Sequence, residues 1–261
     1  MTIPRRTFGS TPVSLSVLCY GTMRLVPERF DDAAILDLIL NALDAGITSF
    51  HVSHEYASYS SISRAMKRAW AARPGSALEI IAKFAVPHFD ETQLDPRRMR
   101  TLVERTLMDF EAERVDVVQW LVRQTPNSDE LRLSVLERAS AAFFELWDAL
   151  KREGKAAALG VFPYSDAFLR RSLEMPGVDG IISYHNRAEQ DLLPYLDELS
   201  HAGRGAIGVR PLSAGAVREP RAVESALRYA LDHPALASTI VGLSSSEQIA
   251  HAVAAVAKGS Q

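Results

Sequence analysis

DDAAILDLILNALDAGITSFHV (residues 31–52) holds a helix, its stop and the strand that follows it. Asp31-Asp32 place acidic residues at a helix start, where they are favoured. From Ala33 to Ala45 the apolar residues recur at the 3.6-residue period of an amphipathic helix. Gly46 supplies the stop, and Ser49–Val52 reads as a short strand without clean alternation, as expected of a parallel strand buried on both faces.

The same unit recurs along the chain. Strand-like runs fall at Val17–Tyr20, Ser49–Val52, Ile80–Phe84, Val115–Leu121, Ala157–Val161, Gly180–Tyr184, Ala206–Val209 and Thr239–Val241. Helical stretches follow at Ala33–Ala45, Ser60–Ala72, Pro96–Phe110, Ala141–Glu153, Asp166–Leu173, Asp191–His201, Ala222–Leu231 and Ser246–Ala257. Strands alternating with helices predict a parallel sheet, and eight repeats favour closure into an α/β (β/α)8 TIM barrel. Upstream, Arg5–Phe8 and Val13–Leu15 flank the turn residues Gly9-Ser10-Thr11-Pro12, which predicts a short N-terminal β-hairpin. Residues 1–261 read as a single barrel domain, with no linker between them.

Composition narrows the function classes. With 47% hydrophobic residues the chain can bury a full core. A formal net charge of -3 lacks the basic surplus of nucleic-acid binders. No apolar run approaches the roughly 18 residues of a membrane span. Thr7 to Ser16 is too polar for the apolar part of a secretion signal. The single cysteine, Cys19, excludes an internal disulfide framework. A cytoplasmic enzyme acting on a small molecule is the expectation.

In such barrels the chemistry sits at the C-terminal ends of the strands. The residues there include Gly21-Thr22-Met23-Arg24, His51 to Tyr56, Lys83 to His88, Leu121 to Gln124, Phe162 to Ser165, His185-Asn186, Arg210-Pro211-Leu212 and Gly242 to Gln248. One face thus gathers Tyr, Lys, His and Arg side chains, which predicts a polar pocket.

At these positions the chain resembles the aldo-keto reductase family along nearly its full length. The likeness is carried by Arg5-Arg6-Thr7-Phe8-Gly9, Cys19-Tyr20-Gly21-Thr22-Met23 and Ala42-Leu43-Asp44-Ala45-Gly46-Ile47. It continues through Tyr56-Ala57-Ser58, Ala82-Lys83-Phe84, Glu153-Gly154-Lys155 to Gly160-Val161, and Val241-Gly242 with Glu247-Gln248. No single motif is specific; their order and spacing are. The resemblance implies NADPH-dependent carbonyl reduction, with a Tyr hydroxyl giving a proton to the oxygen. A Tyr pKa near 10 is poor for that at neutral pH, so a Lys paired with an Asp, and a His, tune it. Position by position, Tyr56 is that Tyr and Lys83 that Lys. His51 stands at the Asp position and Leu121 at the His position. The implied cofactor contacts are Gly21, Thr22, Met23, His185, Asn186, Arg210, Pro211, Leu212, Gly242, Ser244, Glu247 and Gln248.

Other departures cluster on the same face. The Ser-Asn pair expected after the fifth strand is Phe162-Pro163, and the Gln of the sixth is Ile182. The ring expected to stack on the nicotinamide maps to His185, or to Tyr184 if the register slips by one. The long loop expected after the seventh strand is nearly absent, and Ser244 replaces a basic residue.

Each candidate has a plainer reading. Tyr56 and Lys83 could be inherited shape; Lys83 then needs a partner, and Glu55 is a candidate. His51 is either a neutral core histidine or a replacement acid/base, its pKa lowered beside Lys83. His54, Trp120 and Arg123 are candidate substrate contacts, although Trp120 also reads as packing. Arg123 and Arg210 are either solvated cations or grips for an anionic substrate. Ser244-Ser245-Ser246-Glu247 is a helix cap first and a phosphate site second. His51, His54 and Glu55 follow a strand and lack the one-face spacing of a metal motif, so no metal is expected. Three functions compete: an oxidoreductase with a rewired proton donor, a non-redox lyase, dehydratase or isomerase, and a pseudoenzyme without cofactor binding.

Overall fold

The computed structural model describes residues 3–75, 77–89, 91, 93–125 and 128–257. Arg5–Thr7 (β1) and Ser14–Ser16 (β2) pair antiparallel as the predicted hairpin, with Arg5 opposite Ser16. Eight further strands follow: Leu18–Gly21 (β3), Ser49–Ser53 (β4), Glu79–Ala85 (β5), Val115–Leu121 (β6), Ala156–Val161 (β7), Gly180–Tyr184 (β8), Gly205–Val209 (β9) and Leu236–Val241 (β10). They pair parallel in chain order, and β10 closes on β3. The helices are Asp32–Asp44 (α1), Tyr59–Ala72 (α2), Pro96–Phe110 (α3), Asp129–Arg152 (α4), Asp166–Leu173 (α5), Leu196–His201 (α6), Pro220–Tyr229 (α7) and Ser246–Ala257 (α8). Among the described residues no helix is long and apolar enough to cross a membrane.

Two helices depart from the expected bounds. The fourth begins at Asp129 rather than at Ala141, because Ser128 caps it by accepting from Leu131 N–H and Val135 and Leu136 bury against the barrel. Its frequent charged and serine residues hide that apolar face in the sequence. The sixth opens as a 3-10 turn at Leu193–Tyr195, since Pro194 has no N–H to give to an α-helical ladder.

The barrel interior is stacked in three levels. At the bottom, Phe8, Val13 and Leu15 of the hairpin pack with Cys19, Ile81, Val117 and Ile207. Gly180 and Gly205 make room for this plug: a Cβ on either would fall 2.4 Å from the Phe8 ring. Above them Gly160 leaves space for Ile182, whose Cδ1 would lie 2.8 Å from an added Cβ. At the mouth, Ala85, Leu121 and Phe162 form an apolar patch flanked by Tyr184 and Val209. Residues of opposite parity, such as Phe50, Val118 and Trp120, pack outward against the helices.

Candidate active site

The residues at the C-terminal mouth are placed by strand register. Gly21 lies beside His51, Ser53 beside Lys83, and Lys83 beside Gln119. After β4 the chain turns sharply, with Tyr56 N–H donating to Ser53 O at 3.0 Å, and this swings the Tyr56 ring back over the strand ends.

His51 is 5% exposed and sits between two polar partners. Its Nε2 is 2.6 Å from Gln119 Oε1, and its Nδ1 is 3.4 Å from the Tyr56 hydroxyl. With the Gln119 carbonyl oxygen accepting, Nε2 carries the proton and Nδ1 is left to accept from Tyr56. Burial lowers the His51 pKa to about 4; the Gln119 hydrogen bond opposes this, and the Lys83 charge adds to it. The expected fall beside Lys83 is therefore present, but desolvation is its main cause. Burial also raises the Tyr56 pKa, with the Glu55 charge adding to it, so Tyr56 keeps its proton at neutral pH.

Lys83 finds the partner considered for it. Its Nζ is 2.8 Å from Glu55 Oε2 and lies 4.6 Å from the Tyr56 ring centroid. That ring placement contributes roughly 0.5–2 kcal/mol, depending on desolvation. Burial lowers the Lys83 pKa and Glu55 holds it up. Burial would raise the Glu55 carboxyl, but the hydrogen bond and charge of Lys83, with Arg123, more than offset it. Arg123 Nη1 also reaches Glu55, at 3.0 Å, and stacks its guanidinium over Phe89. One carboxylate thus serves two cations at the rim.

The buried imidazole gives a pH-dependent prediction. Between pH 6.5 and about 4 an unfolded His51 takes up a proton and the folded one does not, so stability falls as pH falls through that window. The stability difference between wild type and His51→Gln should shrink by up to about 3 kcal/mol between pH 7 and pH 4. Denaturant melts across that range check it; a difference that stays constant with pH would contradict a neutral buried His51.

A cleft of about 300 Å3 opens beside this cluster, between the ends of β3, β9 and β10. His51 and Tyr56 line it together with the predicted Gly21, Met23, Arg210, Pro211, Leu212 and Gly242. Its far wall is an unusual turn. Arg210, Ser213 and Ala214 hold positive φ of 59°, 47° and 56°, ahead of Gly215 at 96°. Each such non-glycine residue costs about 1–3 kcal/mol and persists only where its surroundings fix it. Asn186 is one of those surroundings: its Nδ2 donates to Arg210 O at 2.9 Å, and its Oδ1 accepts from Ala188 and Glu189 N–H. Arg24 is another, donating to Ala214 O.

Several predicted contacts stand outside the cleft. Thr22 is buried and ties β3 to β4 through His51 O. His185 turns outward and stacks on Tyr229 of α7, centroids 5.2 Å apart, while Tyr184 faces the mouth. His54 points to α3, with Nε2 2.9 Å from Thr106 Oγ1, and its ring packs on Tyr59. Trp120 is wholly buried, donates to Val86 O at 2.8 Å and stacks on Phe143. Ser244 and Gln248 serve the α8 cap: Gln248 N–H donates to Ser245 Oγ, and Gln248 Oε1 accepts from Ser244 N–H; Glu247 lies in the first turn. Arg210 reaches the cleft but is already paired, with Glu189 at 2.9 Å and over the Tyr184 ring. Among the described residues no group of three or more His, Cys, Asp or Glu is placed to hold a metal ion.

One residue of the His51 cluster lay outside the expected set. Gln119, 3% exposed, is the one uncharged polar residue in the otherwise apolar run Val115–Leu121, apart from Asp116 at its start, and that contrast was a usable signal. Arg24, expected at the mouth but given no role there, lines the cleft.

Comparison with known proteins agrees with this architecture. A model of the aldo/keto reductase family matches residues 17–224. An aldo-keto reductase structure from Pseudomonas aeruginosa is 23% identical, with a TM-score of 0.78 over 98% of this chain and 96% of that one. The holo form of an aldo-keto reductase from Bacillus halodurans is 17% identical, with a TM-score of 0.75 over 97% and 91%. At these identities the structural likeness speaks for the fold. No curated protein matches by sequence.

Proposed function

The chain belongs to the aldo/keto reductase family, and on that premise we propose that it is an NADPH-dependent oxidoreductase reducing a small carbonyl compound, with Tyr56 as proton donor. The observation that carries the reading is that Tyr56 and His51 line the same cleft as Gly21, Arg210, Pro211, Leu212 and Gly242.

The cleft suits the nicotinamide end of such a cofactor. Its volume of about 300 Å3 lies at the low end of small-molecule sites. A Cβ at Gly242 would stand 3.8 Å from Arg24 Cδ and Gly21 O, taking up cleft space that glycine leaves open. Arg24 is exposed and, among the described residues, its side chain donates to the Ala214 carbonyl alone, so it offers a cation to a phosphate. Met23 and Leu212 give apolar walls. When bound, the cofactor would supply the two-electron reducing equivalent.

The chain's own residues handle the proton. Tyr56 carries its proton at neutral pH, but burial raises its pKa and makes it a weaker acid than a free phenol, so transfer depends on stabilising the phenolate it leaves. A carbonyl oxygen within reach of its hydroxyl would replace His51 Nδ1 as the acceptor. After transfer, the Lys83 ammonium at the ring face would meet the phenolate charge, and solvent would restore the proton. His51, held through Gln119, keeps its lone pair toward Tyr56 and so directs the hydroxyl. Arg123, at the rim beside Glu55, would take an anionic group on the substrate. NADPH titration of the full chain, followed by tryptophan fluorescence and melting temperature, tests this: saturable binding is expected, and none at millimolar cofactor would reject it.

A second reading is favoured by one observation. Leu121 and Phe162 make the mouth apolar, and Ile182 fills the interior below it, where the family resemblance implies polar contacts. A non-redox acid/base enzyme using His51, Tyr56 and Lys83 would tolerate that loss. Turnover that needs Tyr56 but no cofactor would select it. Absence of both turnover and cofactor binding would select a pseudoenzyme.

A further inference from the structure

A second cavity, of about 590 Å3, opens at the opposite, N-terminal end of the barrel. The hairpin turn Ser10–Pro12 forms one wall, and the segments leading into β6, β7, β8 and β9 form the others. Ser10 N–H donates to Gly203 O at 2.7 Å, which docks the turn there. In a chain of net charge -3, this cavity is lined by three cations, Arg114, Lys151 and Arg204, against one carboxylate, Asp179.

The cations are incompletely satisfied. Arg204 Nη1 is buried with no hydrogen-bond partner among the described residues. A donor stripped of water and given no acceptor is unfavourable, so an orphan of this kind asks for an explanation. Lys151 Nζ lies 3.5 Å from Asp179 Oδ2, an oxygen that already accepts Leu159 N–H at 2.8 Å. Arg114 donates Nε to Asp116 at 2.9 Å, and among the described residues the fork of its guanidinium has no further hydrogen bond. Thr11 Oγ1 is taken by Phe8 O, so the wall adds backbone and the Ser10 hydroxyl rather than further charge.

We propose that this cavity binds a small phosphomonoester, held by Arg114, Lys151 and Arg204. A phosphomonoester carries a charge of roughly −2 at neutral pH and three strong acceptor oxygens, which matches several cationic donors better than a single carboxylate would. The volume leaves room for the esterified body beyond the phosphate. Occupancy would tie the hairpin turn to the strand entrances and so report as stabilisation of the folded chain. This site lies at the far end of the barrel from Tyr56 and does not depend on the chemistry proposed there.

The test is calorimetric titration and thermal melting of the full chain with glycerol phosphate and with inorganic phosphate, against chloride at matched ionic strength. Glycerol phosphate is expected to bind saturably and raise the melting temperature. Arg204→Gln and, separately, Lys151→Gln should each weaken it by about tenfold or more, as loss of a charge-assisted hydrogen bond implies. Arg24→Gln, in the upper cleft, should leave it unchanged. Lys151 is partly exposed, so its substitution keeps the test valid should Arg204→Gln fold poorly. No effect beyond chloride, wild-type affinity in the Lys151 variant, or loss in Arg24→Gln alone would overturn the proposal. Binding of inorganic phosphate with exclusion of the ester would overturn the assigned class.

Discussion

Tyr56→Phe should lower kcat for carbonyl reduction by about 10²–10⁴-fold, the range expected when a positioned proton donor is removed. The substitution deletes one oxygen and keeps the ring. The ring is what faces Lys83, 4.6 Å from its centroid, so the rim should hold its shape. Among the described residues the hydrogen bond lost is the long 3.4 Å contact with His51, and the stability change should stay within about 1 kcal/mol. NADPH affinity should also be nearly unchanged, because the hydroxyl touches the carbonyl rather than the cofactor in this reading. Steady-state rates followed by NADPH absorbance, with a parallel melt, separate these effects. A variant as fast as the wild type would remove Tyr56 from the mechanism, whereas a loss confined to KM would recast it as a binding contact.

Phe8→Ala should cost about 3–5 kcal/mol of stability, the range for emptying a buried aromatic site. Phe8 is fully buried in the barrel floor, packed with Val13, Leu15 and Ile207. Collapse around the void is hindered because the neighbouring strands already approach at Gly180 and Gly205, where no side chain exists to move in. The lost volume should therefore persist as a cavity, and the melting temperature should drop by about 10 °C or more. Thermal denaturation checks this. A loss under about 1 kcal/mol would mean that the hairpin is an appendage rather than a plug.

The two experiments probe features of different legibility. The barrel could be read locally, because each strand and helix carries its own period and stop signal. Asp31 does cap α1, accepting from Ala34 N–H at 2.8 Å, and Gly46 does follow its end at positive φ. The hairpin was equally plain from Gly9-Ser10-Thr11-Pro12. The pairing of Lys83 with Glu55 was within reach, since an ammonium in a barrel mouth needs a carboxylate and few were close in sequence. The long α4 is legible too: the Val135-Leu136 pair marks its buried face among charged neighbours.

Sequence by itself thus determined the element order, the closed barrel and the face on which Tyr56, Lys83 and His51 would meet. Only the tertiary structure decided which way individual side chains turn. Parallel barrel strands are apolar on both faces, so they carry no alternation from which parity can be read. A one-residue error then moves a side chain from the mouth to the helix layer. That is why Tyr184 rather than His185 faces the mouth, and why Trp120 packs outward while Gln119 reaches His51. The left-handed turn from Arg210 to Gly215 is likewise invisible locally: three of its four positive-φ residues are not glycine, and Asn186 and Arg24, distant in sequence, hold it in place.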